Sequence, residues 1–241
     1  MTALQIIRIP ILSFGMVNSH LILGAGGCIL VDAGLPGSES KIEKVLTKHG
    51  LTFRDIKLIV VTHAHVDHAG SAALLHELSR APIVAHEDDA KHFSGETPMT
   101  FCPTGWFGRL FLKTPLMFES YKGFEPDVLL SNDNTLDLSR YGIPGTITHT
   151  PGHTAGSISV ELSTKDALVG DLIASGILIG GLVRTNHAIR PPFEDDPRTV
   201  GLALQRLLDS GMERFYMGHG GPLNAGEVQR HAHDLMTMKT R

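Results

Sequence analysis

The sequence predicts a mixed α/β fold, and three observations carry that expectation. Short runs of β-branched and aliphatic residues recur, each closed by a turn or a polar cluster. Segments with apolar residues three and four apart alternate with them. No internal repeat or low-complexity linker divides the 241 residues, so residues 1–241 are expected to form one domain.

The strand-like runs begin with "CILVDAG" from Cys28 and "IKLIVVTH" ending at His63. "APIVAHE" follows, then "GTITHTPGH" leading to His153, "SISVEL", "DALVGD" ending at Asp171, and "RFYMGHGG" carrying His219. Each pairs an apolar stretch with a polar or glycine-rich exit, as strands do when they deliver side chains from a sheet edge. Between them the spacing predicts helices. Residues 38–49 put Ile42, Val45, Leu46 and His49 on one face, with Gly50 as the stop. Residues 69–78 read as a helix that starts behind a histidine cluster. Residues 197–210 carry Val200, Leu204, Leu207 and Leu208 ahead of Gly211, and residues 228–238 form the last helix. The stretch of about 89–126 breaks this rhythm: it is aromatic, interrupted by prolines, and holds the single tryptophan, Trp106. It reads as a packed insert, as a cap over a pocket, or as a face for a homodimer.

Composition narrows the function. Apolar residues make up 42% of the chain, enough for a large core, and the net charge is −4 with histidine neutral. A protein that grips phosphate backbones needs clustered Lys and Arg, which this sequence lacks, so no nucleic-acid partner is expected. The first fifteen residues, "MTALQIIRIPILSFG", show no basic start, apolar stretch and cleavage site, and Pro10 interrupts them. No leader and no membrane span are expected, and the two cysteines, Cys28 and Cys102, suit a reduced cytoplasmic setting. The outlying number is 14 histidines.

Several of those histidines fall in "VVTHAHVDHAG". His63 and His65 are two apart at a strand exit, so both can point the same way in extended chain, while Asp67 and His68 approach from the turn. Imidazole and carboxylate are zinc-type ligands. His153, Asp171 and His219 stand beside glycines at later strand ends, where the backbone can turn sharply and bring a ligand close. One cluster of this kind serves one metal or is split between two.

The run "HAHVDH", followed by a lone His, an Asp and a His, resembles the ligand order of the metallo-β-lactamase fold superfamily. The likeness extends from "FGMVNSH" to "GHGGP". It implies a four-layer αββα sandwich with the site at one edge. It implies that His63, His65 and His153 hold a first metal, that Asp67, His68 and His219 hold a second, and that Asp171 bridges them. The cofactors implied are two divalent ions, zinc foremost, with iron or manganese as alternatives. Such a pair, ~3.5–4 Å apart, activates a bridging hydroxide for attack on a carbonyl or phosphoryl centre. Asp67 and Asp171 are the catalytic candidates, Asp67 also as a proton carrier. Asp32 in "ILVDAG" matches the pattern as well. It is either a turn residue or an acceptor for a ligand imidazole. Thr154 and Ser157 are supporting hydroxyls of the site or caps of their own loop. His20, Arg184, His187 and Phe193 are candidates to face the pocket; His49, His76, His231 and His233 are expected at the surface or its boundary.

Within that superfamily the residues favour a hydrolase of small esters, lactones or thioesters. A bridging carboxylate at Asp171 weighs against a true β-lactamase. The short run after His219 leaves no room for the helical extension of glyoxalase II. Leu172 to Ser175 lack the tyrosine that follows the bridging Asp in acyl-homoserine lactonases. A phosphoesterase is a lesser alternative. A mononuclear iron oxidoreductase of the persulfide dioxygenase type is the reading from another class, separated by metal identity.

Overall fold

The computed structural model describes residues 4–114, 120–132, 134–177, 180 and 182–238. The first sheet holds β1 (Gln5–Pro10), β2 (Asn18–Gly24), β3 (Gly27–Val31), β4 (Ile56–Val60), β5 (Ile83–His86) and β6 (Val128–Leu130), in that spatial order. β1 to β3 form an antiparallel meander. From β3 onward the strands are parallel and need crossovers. α1 (Glu39–Lys48) makes the first; α2 (Val66–Ala69) and α3 (Ala72–Ser79) make the second. The helix expected from residue 69 is therefore two pieces, and its first turn begins earlier and carries Asp67 and His68. The N-terminal segment, in which the sequence predicts no strand, supplies the edge strand β1, with Pro10 at its end where no ladder N–H is required.

The second sheet is built from β7 (Leu136–Asp137), β8 (Gly145–His149), β9 (Ile158–Leu162), β10 (Asp166–Leu168), β13 (Arg214–Tyr216) and β14 (Leu223–Asn224). Its spatial order is β14-β13-β10-β9-β8-β7. A two-stranded ribbon, β11 (Ala174–Ser175) with β12 (Ala188–Ile189), lies apart. α6 (Pro197–Asp209) and α7 (Ala225–Thr237) pack against each other and the second sheet.

The period-two alternation of the strands decides the layering. Leu21, Leu30, Ile59, Ile83 and Ala85 point outward and bury against Ile42 and Leu46 of α1 and Leu75 of α3. Their sequence neighbours Ile22, Ile29, Val31, Leu58, Val60 and Val84 point the other way and meet Ile147, Ile158, Val160, Leu162 and Leu168 of the second sheet. Ala167, Val169 and Phe215 face outward again, onto Val200, Leu204 and Leu207 of α6 and Val228, Ala232 and Leu235 of α7. Three apolar seams separate four layers, so the order is helix, sheet, sheet, helix. Gly50 adopts φ 70° just past α1, the left-handed stop its position predicts.

In the 89–126 stretch the described helices are α4 (Ala90–Phe93) and α5 (Trp106–Phe111). Residues 115–119, which include Phe118 of the expected cap, lie outside the described residues. Trp106 is 76% exposed. His231 departs from expectation: it is buried inside α7 and burial pushes its ring down to about 4. No helix among the described residues is long and apolar enough to cross a membrane.

Candidate metal centre

The candidate ligands leave the sheets at one shared edge. β3 ends in Asp32 and β4 runs on to His63 and His65, while α2 carries Asp67 and His68. From the second sheet come His153 after β8, Asp171 after β10 and His219 after β13. All seven expected ligand residues meet there, and six of them are buried, with Asp67 part-exposed.

His63, His65 and His153 form the tightest group. Nε2 of His63 lies 3.0 Å from Nδ1 of His65, and Nε2 of His153 lies 3.1 Å from each of these atoms. The three rings stand nearly perpendicular to one another, at 83°, 85° and 87°. Three nitrogens aimed at one point cannot all donate to each other, but they can share a cation. The spacing suits a single cation that these three nitrogens would hold together.

The second group is Asp67, His68 and His219. Nε2 of His219 is 3.3 Å from Oδ2 of Asp67, and Nε2 of His68 is 3.9 Å from the same oxygen. Asp171 stands between the groups. Its Oδ1 is 3.3 Å from His68, and its Oδ2 is 2.9 Å from His219 and 3.9 Å from His153. Nε2 of His68 and Oδ1 of Asp171 are buried and have only each other, at 3.3 Å, among the described residues. A donor and an acceptor site facing one small space with no further partner fit a cation that both would ligate. Gly218 is required here, since a Cβ on it would run into the His68 ring and Asp171.

Electrostatics separate the two halves. Burial, then the neighbouring imidazoles, holds His63 well below its ordinary range. Burial takes His65 down to about 4 and His153 to about 3. The first trio is therefore neutral at pH 7, the form that ligates. For His68 and His219 burial opposes charging, but Asp171 and the other nearby carboxylates outweigh it. His68 rises well above its ordinary value and His219 rises to about 10. Asp67 and Asp171 are held low against burial by the facing imidazoles. Without metal the second half is a buried ion cluster, in which protons occupy the places a divalent cation would take.

Supporting groups fix the ring orientations. Nδ1–H of His68 donates to Oδ2 of Asp32 over 2.8 Å. The backbone N–H and hydroxyl of Thr62 donate to Oδ1 of Asp32, each at 2.9 Å. The Thr62 hydroxyl also lies 3.1 Å from Nδ1 of His63. Asp32 adopts φ 63°, so it both makes the turn and accepts from the imidazole. His219 turns its Nδ1–H to the Met16 carbonyl, and Asn18 donates to the carbonyls of Gly218 and Gly220, each at 3.2 Å. Thr62, Met16 and Asn18 escaped the sequence reading because they sit in or beside strands and look structural. The hydroxyl of Thr154 goes to Asp89 and Ser157 rather than to a ligand ring.

Other candidates sit elsewhere. Phe193 is buried with its ring 5.0 Å from Phe101, which in turn stacks 5.1 Å from His65. His187 pairs with Glu227 of α7 at 3.0 Å, Arg184 is exposed, and His20 is buried edge-on to Tyr216. His86, Asp88 and His149 also approach one another, but the two rings stack in parallel, 3.8 Å apart at 12°, so their lone pairs do not converge.

Comparisons agree with this architecture. A probable metallo-hydrolase of Methanocaldococcus jannaschii is 27% identical over 210 residues, spanning 84% of this chain and 87% of its own length. A hydroxyacylglutathione hydrolase of Haemophilus influenzae is 25% identical over 196 residues, spanning 81% and 82%. The crystal structure of a metallo-beta-lactamase family protein from Thermus thermophilus superposes with a TM-score of 0.68 at 26% identity, covering 98% of this chain and 79% of that one. Residues 12–219 match the metallo-beta-lactamase superfamily as a whole, and the chain belongs to that superfamily.

Proposed function

We propose that this metallohydrolase holds two divalent ions, zinc foremost, and cleaves a small ester, lactone or thioester. The observation that carries the reading is the pair of donor trios with buried Asp171 between them, its two oxygens 2.9–3.9 Å from His68, His219 and His153. His63, His65 and His153 would hold one ion; Asp67, His68 and His219 the other, with Asp171 shared. An all-nitrogen and oxygen donor set suits zinc, iron or manganese. Ions bound there supply Lewis acidity and activation of water at neutral pH.

The chain's own residues supply orientation and proton handling. Asp32 and Thr62 keep protons on the outward nitrogens of His68 and His63, which leaves the inward nitrogens free to ligate. The Met16 carbonyl does the same for His219. The side chain of Asp67 is 23% exposed while that of Asp171 is 4% exposed, so Asp67 is the carboxylate better able to pass a proton to a leaving group. Phe101, stacked on His65 and tilted against Phe193, offers an apolar face beside the first trio. That face supports an acyl or aromatic part in the substrate. The Haemophilus relative, a hydroxyacylglutathione hydrolase of which this chain spans 82%, supports the thioester side.

The test pairs metal analysis with a rate panel: a lactone, an aryl ester, a thioester, a β-lactam and a phosphotriester. Two zinc ions per chain and a preference of about 100-fold in kcat/KM, about 2.7 kcal/mol in the transition state, would support the reading. One iron per chain, persulfide oxidation and no hydrolysis would overturn it.

A further inference from the structure

We infer that Asp89 and Tyr121 are positioning residues that brace the His63–His65 segment and so act as a scaffold of the first metal trio. The inference rests on the metal reading above. Beyond β4 the chain has no ladder at Ala64, the residue between the two histidines, yet both peptide groups of Ala64 are paired. Its N–H donates to Oδ2 of Asp89 at 3.0 Å, and its carbonyl accepts from the Tyr121 hydroxyl at 3.0 Å. These bonds fix the two peptide planes that join His63 to Ala64 and Ala64 to His65. With both planes fixed, the two imidazoles have little freedom but rotation of their own side chains.

Asp89 also holds the third ligand. Its Oδ2 accepts from the hydroxyl of Thr154, next to His153, and its Oδ1 accepts from the N–H of Gly156, each at 3.0 Å. Gly156 is needed for this approach, because a Cβ there would lie 2.6 Å from the Asp89 carboxyl carbon. One buried carboxylate thus ties a loop of the first sheet to a loop of the second, and the loops carry the three histidines whose nitrogens meet at 3.0–3.1 Å. Neither Asp89 nor Tyr121 contributes an atom to the trio. Their effect is on where the donors stand.

An amide at position 89 cannot reproduce the pattern. Its one oxygen can face Ala64 or Gly156, and its NH2 then confronts the other N–H. Asp89→Asn should therefore loosen one of the two loops. Outer contacts of this kind change metal affinity by about 10- to 100-fold. The experiment titrates the metal-free full chain with Co(II), reading the visible d–d bands, for wild type, Asp89→Asn, Tyr121→Phe and Thr154→Val. Ser79→Ala, which loses buried hydrogen bonds at the C-terminal end of α3, ahead of β5 and so at the opposite sheet edge from the trio, is the stability control. The expected result is first-ion affinity lowered about 10- to 100-fold with altered bands in Asp89→Asn. Smaller shifts in the same direction should follow in the other two site variants, and none in Ser79→Ala. Wild-type affinity and bands in Tyr121→Phe and Thr154→Val, and in Asp89→Asn if it folds, would overturn the inference while leaving the metal reading intact. A wild-type chain that takes up no Co(II) would overturn both.

Discussion

Asp32→Asn isolates the hydrogen bond that sets the His68 tautomer. The two oxygens of Asp32 do different jobs: Oδ1 takes the N–H and hydroxyl of Thr62, and Oδ2 takes Nδ1–H of His68. Asparagine has one acceptor for these donors. If its oxygen stays on Thr62, its NH2 faces Nδ1 of His68. The ring can relieve that only by moving its proton to Nε2, the atom needed for metal. If the amide flips, the Thr62 N–H is left facing a donor. Either way one buried donor is unpaired, at about 1.5–3 kcal/mol. That corresponds to about 10- to 100-fold in affinity for the ion at His68. The metal-free protein should melt roughly 3–12 °C lower, because His68 is cationic there and loses a facing carboxylate. A competition titration that separates first-ion from second-ion binding reads the effect. The reasoning is refuted if the folded variant binds its second ion within threefold of wild type. Equal weakening of both ions would also refute it, since Asp32 would then act on the fold and not on His68.

Second-ion affinity should climb steeply with pH. His68 and His219 carry protons in the metal-free protein, the latter up to about 10, so the incoming ion must expel them. The gain can reach about 100-fold per pH unit where two protons leave, while first-ion affinity stays nearly flat above pH 6 because His65 and His153 are already neutral. Titrations at pH 6, 7 and 8 check both slopes. Asp171→Ala should abolish most turnover and lower occupancy of one or both ions; unchanged metal content with a normal rate would exclude the shared carboxylate. Phe101→Ala should raise KM for a substrate with an apolar acyl group more than it lowers melting temperature, and a fall of many degrees with KM unchanged would make Phe101 plain core.

The cluster of candidate ligands was legible because its chemistry is carried by residue types that are costly to bury and that recur at strand exits. His63, His65, Asp67 and His68 announce themselves in six positions, and His153, Asp171 and His219 each follow an apolar run. The layering was legible from alternation in β3 and β4, where successive residues face opposite seams. What stayed hidden is whatever depends on long-range approach. Asp89 reads locally as an acidic residue opening a helix, and only the fold brings it to Ala64 and Gly156. Tyr121 reads as one more aromatic of the insert. β1 and β2 were passed over because their pattern resembles a polar-flanked terminus, although β2 supplies Asn18, which holds the His219 loop.

The division of donors between the sheets has a mechanical meaning. His63, His65, Asp67 and His68 belong to the first sheet's loops, and His153, Asp171 and His219 to the second's. Between them the sheets meet through an apolar seam, which has no direction, and at this edge through a few directional hydrogen bonds such as those of Asn18 to Gly218 and Gly220. An ion with ligands from both sides would add to those bonds as a rivet. Part of its binding energy would then appear as resistance to shear between the halves of the molecule, and a chelator would withdraw that part without touching a single residue of the core.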